Sequence, residues 1–488
     1  MSSSSGNDND AEDTIASLAK SISSDSSAVT SAQVVSAHLA LIDASSNNSV
    51  VVKNPRALDH ARQHDLLSQA QKQALPLGGV PVTIKLHIDV AGLISSDGVR
   101  QYTPASNSPV IDALVKAGAI ILGKTNVPVT CADYQSYNSI FGTTKNPLDS
   151  DLSPGGSSGG SASAVAEKLT QCCIGTDIGG SVRVPASFCG VFSHKPSWGI
   201  ISKQQSHPKA PKDMSTTGPI ARNARDLATV FDVLASNDSP GREQFSGLRN
   251  AILPRSRISS LSGVSVAVWS DDESCPVSAS VSSAIKKTVA LLKSQGAKVK
   301  FTKPAFDSEH MLKVYRVAVA AAMASEASPE SLSKFRLEAD TNEEAKWMVA
   351  SHREWLSNEQ LRAEIKAAYA ELFEEYDILL TPTFPCPAFP HDQSDADQPF
   401  WRQSERKLDV VREDGEKVAL PYFRGCFWPS VANLPLLPAT SFPVYLEDAK
   451  MPVGLQAVGR ELGDRTTLDF VRLLENVGAE SIARYKEI

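Results

Sequence analysis

The sequence is first narrowed by what it has little of. Cysteine is scarce and unpatterned, with seven residues, no C-x-x-C spacing and one adjacent pair, Cys172 and Cys173. An odd count without paired spacing excludes a disulfide framework and predicts buried, reduced thiols in an intracellular, cytoplasmic protein. Long apolar runs are missing too: a membrane helix needs about 20 such residues, and the nearest approach is the alanine-rich stretch 317–324. There is no basic run and no basic patch interleaved with aromatics, and the net charge of -7 comes from interspersed residues. Nucleic acid is therefore not expected as substrate or partner. The amino terminus, MSSSSGNDNDAEDT, has no apolar core of the kind a secretion signal needs. Residues 1–12 are predicted to be a disordered polar tail.

What is present alternates strand and helix. A capping box pairs Thr30 with Gln33 at the start of one helix, and a second helix is expected over about 58–74. The β-branched stretch 80–84 reads as a buried strand with Lys85 at its end. A helix over 110–116 and a strand over 119–122 follow, then a strand at 172–174. Further on, helices are expected over 221–234 and 277–294, and strands over 264–269, 297–301 and 376–380. A strand over 453–458 and a helix over 464–477 close the chain. This order predicts an α/β architecture on a large sheet. The charged stretch 391–417 is expected to be a surface excursion, read either as a flap or as a plain solvated loop.

The chemistry concentrates in residues 153–197, SPGGSSGGSASAVAEKLTQCCIGTDIGGSVRVPASFCGVFSHKPS. Glycines at 155, 156, 159 and 160 surround Ser157 and Ser158. A flexible linker does not suit them, because structured chain follows at once. A phosphate-binding loop needs a lysine directly after the glycines, where this chain has Ser161 and Ala162. The Gly155–Gly159 string matches a G-x-S-x-G elbow, but the polar NPLDSDLSP before it is no buried strand. The remaining reading makes Ser181 of DIGGSVR a nucleophile, with the N–H groups of Ile178, Gly179, Gly180 and Ser181 able to converge on one anionic oxygen. A serine needs a base. His194 is near in sequence, and Lys85 qualifies if burial brings its pKa down by about three units, roughly 4 kcal/mol.

These residues resemble the amidase signature family. GGSSGGSASAVA, GTDIGGSVRVPASFCGV and KPS carry the resemblance, including a spacing of 24 between the two serines (181 − 157). It extends upstream through GVPVTIK and GKTNVP and downstream through LLTPT, NLPLLPAT and PVGLQAVG. It implies a large mixed, twisted central sheet covered by helices on both faces, and one amidase domain over residues 13–488. It also implies a triad of Lys85 as base, Ser157 as relay behind a cis Gly156–Ser157 peptide, and Ser181 as nucleophile. Ile178, Gly179, Gly180 and Ser181 match the oxyanion hole, and Ser158, Asp177 and Arg183 match supporting positions. The implied reaction is hydrolysis of a small-molecule carboxylic amide to acid and amine or ammonia through a seryl acyl-enzyme, with side esterase activity. Neither metal nor organic cofactor is expected, and a homodimer is compatible with the resemblance.

Leu86-His87 departs from the Asp-Asn that many members carry after the lysine. The TNVP segment is similar to that of fatty acid amide hydrolases, which would put Cys131 and Asp133 near substrate. Phe427 and Trp428 are candidates for the acyl pocket, with buried aromatic core as the alternative. Two other functions are compatible with the motifs: the glutaminase component of a tRNA-dependent amidotransferase, and an inactive binding protein derived from the family.

Overall fold

The computed structural model of the chain describes residues 14–24, 29–201, 212–236, 253–394, 406–447, 449–478 and 482. The tail read at residues 1–12 lies outside them. Among the described residues, eleven strands form one mixed sheet. In chain order they are β1 (Val50–Lys53), β2 (Pro81–Lys85), β3 (Ile120–Thr125), β4 (Cys172–Asp177), β5 (Phe192–Lys195), β6 (Thr216–Ala221), β7 (Ser265–Val268), β8 (Lys298–Phe301), β9 (Ile378–Pro382), β10 (Ala439–Val444) and β11 (Val453–Val458). Side by side they run β1-β3-β2-β4-β6-β5-β10-β11-β9-β7-β8.

Pairing is parallel for β3-β2-β4 and for β9-β7-β8, and antiparallel between these groups. Parallel neighbours need a crossover, and the chain supplies helices there. Pro109–Lys116, with proline in its first turn, lies between β2 and β3. Ala279–Ser294, whose Val281 N–H is capped by Ser278, lies between β7 and β8. Every residue of β2, β3, β4, β9, β10 and β11 is buried. That explains why β2, β3, β4, β9 and β11 show no regular polar–apolar alternation. One contiguous core extends from Ile15 to Ile482. All seven cysteines are unpaired, six of them buried. No described helix is long and apolar enough to cross a membrane.

Two expectations need correction. The helix expected over 58–74 is two helices, Ala57–Asp65 and Gln69–Gln73, because Ser68 caps the second through a reciprocal box with Gln71. The excursion expected over 391–417 contains a hairpin strand, Lys407–Val411, paired antiparallel with Lys417–Pro421. Leu408 and Val410 alternate inward there and are buried, so the charged Lys407 and Asp409 form only the outer face. Residues 395–405 of that stretch lie outside the described residues.

Candidate active site

The carboxyl ends of three neighbouring parallel strands define the site, the place where open α/β sheets present loops to ligands. Register aligns them: Lys85 of β2 pairs with Thr125 of β3, and Ile84 lies opposite Ile174 of β4. Lys85 is thus the last residue of β2, and Thr176 and Asp177 close β4.

Lys85 is fully buried. Its Nζ donates to Ser157 Oγ at 2.7 Å and to Thr176 Oγ1 at 3.1 Å. Burial brings its pKa down from 10.5 to about 8. A water-excluded strand end disfavours the ammonium form, and only nearby acidic groups, Asp177 among them, oppose this. Ser157 follows a cis Gly156–Ser157 peptide. Residue 156 must be glycine for a steric reason: a Cβ there would run into the carbonyl oxygens of Asp133 and Gln135, both backbone atoms. Ser158 joins the two serine segments, its N–H donating to the Ser181 carbonyl at 3.1 Å and its hydroxyl to the Thr176 carbonyl at 3.4 Å.

Asp177 organises the loop that carries Ser181. Its carboxylate accepts from the N–H groups of Gly180 and Val182, from Arg183 Nε and Nη2, and from Asn433 Nδ2, at 2.9–3.2 Å. Burial alone would raise its pKa, but the Arg183 guanidinium and the Asn433 amide outweigh that and hold the carboxyl well below the usual range. Arg183 also donates to the Pro429 carbonyl and to Gln456 and Asn433, so the loop is tied to distant parts of the chain. Gly180 has φ +98, in the left-handed region that favours glycine. Its N–H is taken by Asp177, whereas none of the described hydrogen bonds uses the N–H of Ile178, Gly179 or Ser181. On the other side of these peptides, Tyr315 donates to the Ile178 carbonyl at 3.1 Å and Tyr134 to the Gly179 carbonyl at 2.9 Å.

Ser181 opens onto a pocket. Its wall is mostly apolar, with Ile178, Val319, Ala320, Met323, Met348 and Phe423, and it includes Cys131, Asp133, Tyr134, Tyr315 and Trp347. Arg316 and Glu344, also in the wall, are ion-paired with each other, and the Arg316 guanidinium stacks on Trp347 and Phe423 at 4.4 and 4.9 Å.

Burial pushes the Cys131 thiol up to about 11, so it stays protonated at neutral pH. Asp133 reaches the wall, but its carboxylate is bound by Arg406 at 2.9 Å, Tyr422 at 2.6 Å and Tyr137 at 3.3 Å. Phe427 and Trp428 do not line the pocket. Both are fully buried against Trp269, with ring centroids 5.6 Å away, and Trp428 Nε1 donates to the Cys275 carbonyl. His194 is bonded to Asp464 and Thr440 inside the core and to neither serine. Sequence reasoning missed Thr176, Tyr134, Tyr315 and the pocket helix Ser308–Ala324. Only Thr176, inside the GTDIGGS string, stood next to a visible motif.

Comparison with known proteins gives the family. The family model for Amidase matches residues 33–468. The chain belongs to the amidase family. Among curated relatives of this chain, a glutamyl-tRNA(Gln) amidotransferase subunit of Lachnoclostridium phytofermentans is 31% identical over 464 residues, covering 87% of this chain and 89% of the relative. The subunit of the same name from Methanosarcina mazei is 28% identical over 463 residues, covering 89% and 91%. Among solved structures, a bacterial aryl acylamidase of the amidase signature family superposes with a TM-score of 0.77 at 22% identity, covering 95% of this chain and 96% of that one. At that identity the likeness shows the fold.

Proposed function

We propose that this member of the amidase family hydrolyses small carboxylic amides to an acid and an amine or ammonia through an acyl-enzyme on Ser181. The observation that carries the reading is the fully buried Lys85 amine, 2.7 Å from Ser157 Oγ and with its pKa lowered to about 8. A lysine that loses its proton near neutral pH can act as a general base, and efficiency is greatest when the base's pKa lies near the working pH.

Neutral Lys85 accepts the Ser157 proton while Ser157 accepts that of Ser181, and Ser181 Oγ bonds to the amide carbon. The N–H groups of Ile178, Gly179 and Ser181 stabilise the oxyanion; that of Gly180 serves the Asp177 carboxylate and supports the loop instead. The same relay in reverse delivers the proton to the leaving nitrogen, without which an amide anion would have to depart. Water then attacks the ester, gives its proton to the relay, and regenerates Ser181. Asp177, Arg183 and Ser158 support the loop without taking part in proton transfer.

The pocket beside Ser181 favours an apolar substituent, since its charged side chains are already paired, Arg316 with Glu344 and Asp133 with Arg406. A second reading, the glutaminase component of an amidotransferase, is favoured by the amidotransferase relatives. Glutamine would bring two charged groups to this wall and compete with the Arg316–Glu344 pair. A panel of aryl, short aliphatic and long-chain amides, with glutamine alongside, separates the readings by relative kcat/KM. Turnover of apolar amides by the isolated chain, abolished in Ser181→Ala, is expected. Glutamine hydrolysis alone, appearing only with partner proteins, would replace it with the second reading.

A further inference from the structure

The hydrogen-bond chain from Ser157 does not end at Lys85. Thr176 Oγ1, which receives a Lys85 N–H at 3.1 Å, is also 3.3 Å from His87 Nε2. His87 occupies the position two residues after the lysine, where Leu86-His87 departs from the usual Asp-Asn. No described hydrogen bond uses its Nδ1, which is buried. The direction of the chain therefore depends on Nε2.

A hydroxyl has one hydrogen to donate. When Lys85 holds the proton taken from the serines, its three N–H bonds are all donors, so Thr176 can only accept from it. The Thr176 hydrogen must then go elsewhere, and His87 Nε2 is the acceptor within reach. When Lys85 is neutral, the same arrangement prevents Thr176 from donating into the amine lone pair, which stays directed at Ser157. A protonated Nε2 would reverse this. It would donate to Thr176, whose hydrogen could then occupy the Lys85 lone pair and quench the base.

Resting on the triad assignment above, we infer that His87 is a positioning residue for the reaction: its unprotonated Nε2 accepts the Thr176 hydrogen, which keeps Thr176 an acceptor and aims the Lys85 lone pair at Ser157. Burial, together with the neighbouring Lys85, Lys124 and Lys212, holds the His87 pKa well below its ordinary 6.5 and so keeps the ring neutral.

The first test is made on the unmodified protein. Ring-15N-histidine NMR, with His87 assigned by its loss in His87→Gln, is expected to show Nε2 unprotonated and Nδ1 protonated at pH 7–8. A protonated Nε2 overturns the inference. This readout needs no turnover, so it fails or succeeds separately from the triad assignment, which fails if Ser181→Ala keeps amide activity. In kinetics, His87→Leu removes the acceptor and is expected to lower amide kcat about 10²-fold at nearly constant KM, the scale of a small misplacement of a reacting group. His87→Gln, whose Oε1 can accept, should recover most of that loss. In a Thr176→Val background, His87→Leu should change little, because the hydroxyl that links them is gone. Equal losses in Leu and Gln, a loss confined to KM, or full additivity with Thr176→Val would each overturn the inference.

Discussion

Replacing Lys85 by methionine separates stability from chemistry at the centre of the site. The side chain is fully buried, so methionine keeps most of its volume while removing the amine. In the folded protein the amine has its pKa at about 8 instead of 10.5, which corresponds to about 3 kcal/mol. Because the folded value is the lower one, this cost to folding is present in full below pH 8 and fades as pH rises from 8 toward 10.5. Lys85→Met removes that cost at pH 7 but deprives Ser157 and Thr176 of a partner, at about 1–3 kcal/mol for each buried hydroxyl left unsatisfied. Thr176 keeps His87, so the two effects nearly cancel and a urea melt should shift little at pH 7. Amide turnover, by contrast, loses its general base and its leaving-group acid, and should fall by about 10²–10⁴. An activated ester needs no proton on its leaving group and should lose markedly less. Equal losses on amide and ester, or a fall of less than tenfold on the amide, would refute the assignment of Lys85.

Three further outcomes follow from the same structure. For the unmodified enzyme, amide kcat/KM should rise about tenfold per pH unit and level off above about 8, since the neutral form of Lys85 is the active one; a limb centred near 6.5 would implicate a histidine instead. Asp177→Asn leaves the buried Arg183 charge without its carboxylate and should cost about 3–5 kcal/mol in chemical denaturation; a cost under about 1 kcal/mol would mean that the pair does not anchor the Ser181 loop. Gly156→Ala drives a Cβ against two backbone carbonyls and should destabilise by about 1–3 kcal/mol or more, with loss of activity; a stable, active variant would contradict the tight seating of Ser157.

How much was legible in the sequence differs between residues for physical reasons. β11 and the helix Asp464–Val477 have the bounds their periodicity predicts, and β2 lies within one residue of its expected ends. β6 and β10 went unread because proline interrupts TTGPIA and ATSFPV and weakens the strand signal, and β5 because FSHK is short and half polar; their pairing is made by distant partners. The alternation in burial along Lys407–Val411 was hidden because Val411 adds an exposed apolar residue and the surrounding stretch is rich in charge. At the site, the serine and glycine strings were visible because close backbone approach demands small residues. Lys85 was visible through its place at a strand end and through the GVPVTIK string that carries the family resemblance. Tyr134 and Tyr315 could not be read, since each acts by holding a carbonyl from an element remote in sequence. Phe427 and Trp428 look the same in sequence whether they line a pocket or fill a core, and packing against Trp269 decided for the core.

Which atom takes the acyl group decides the mechanism. The direct measurement is to treat the enzyme with a fluorophosphonate, digest it, and locate the adduct by mass spectrometry, with Ser181→Ala and Lys85→Met in parallel. A single adduct on Ser181, absent in Ser181→Ala and formed much more slowly in Lys85→Met, is the predicted result. An adduct on Ser157, or labelling that persists in Ser181→Ala, would contradict it.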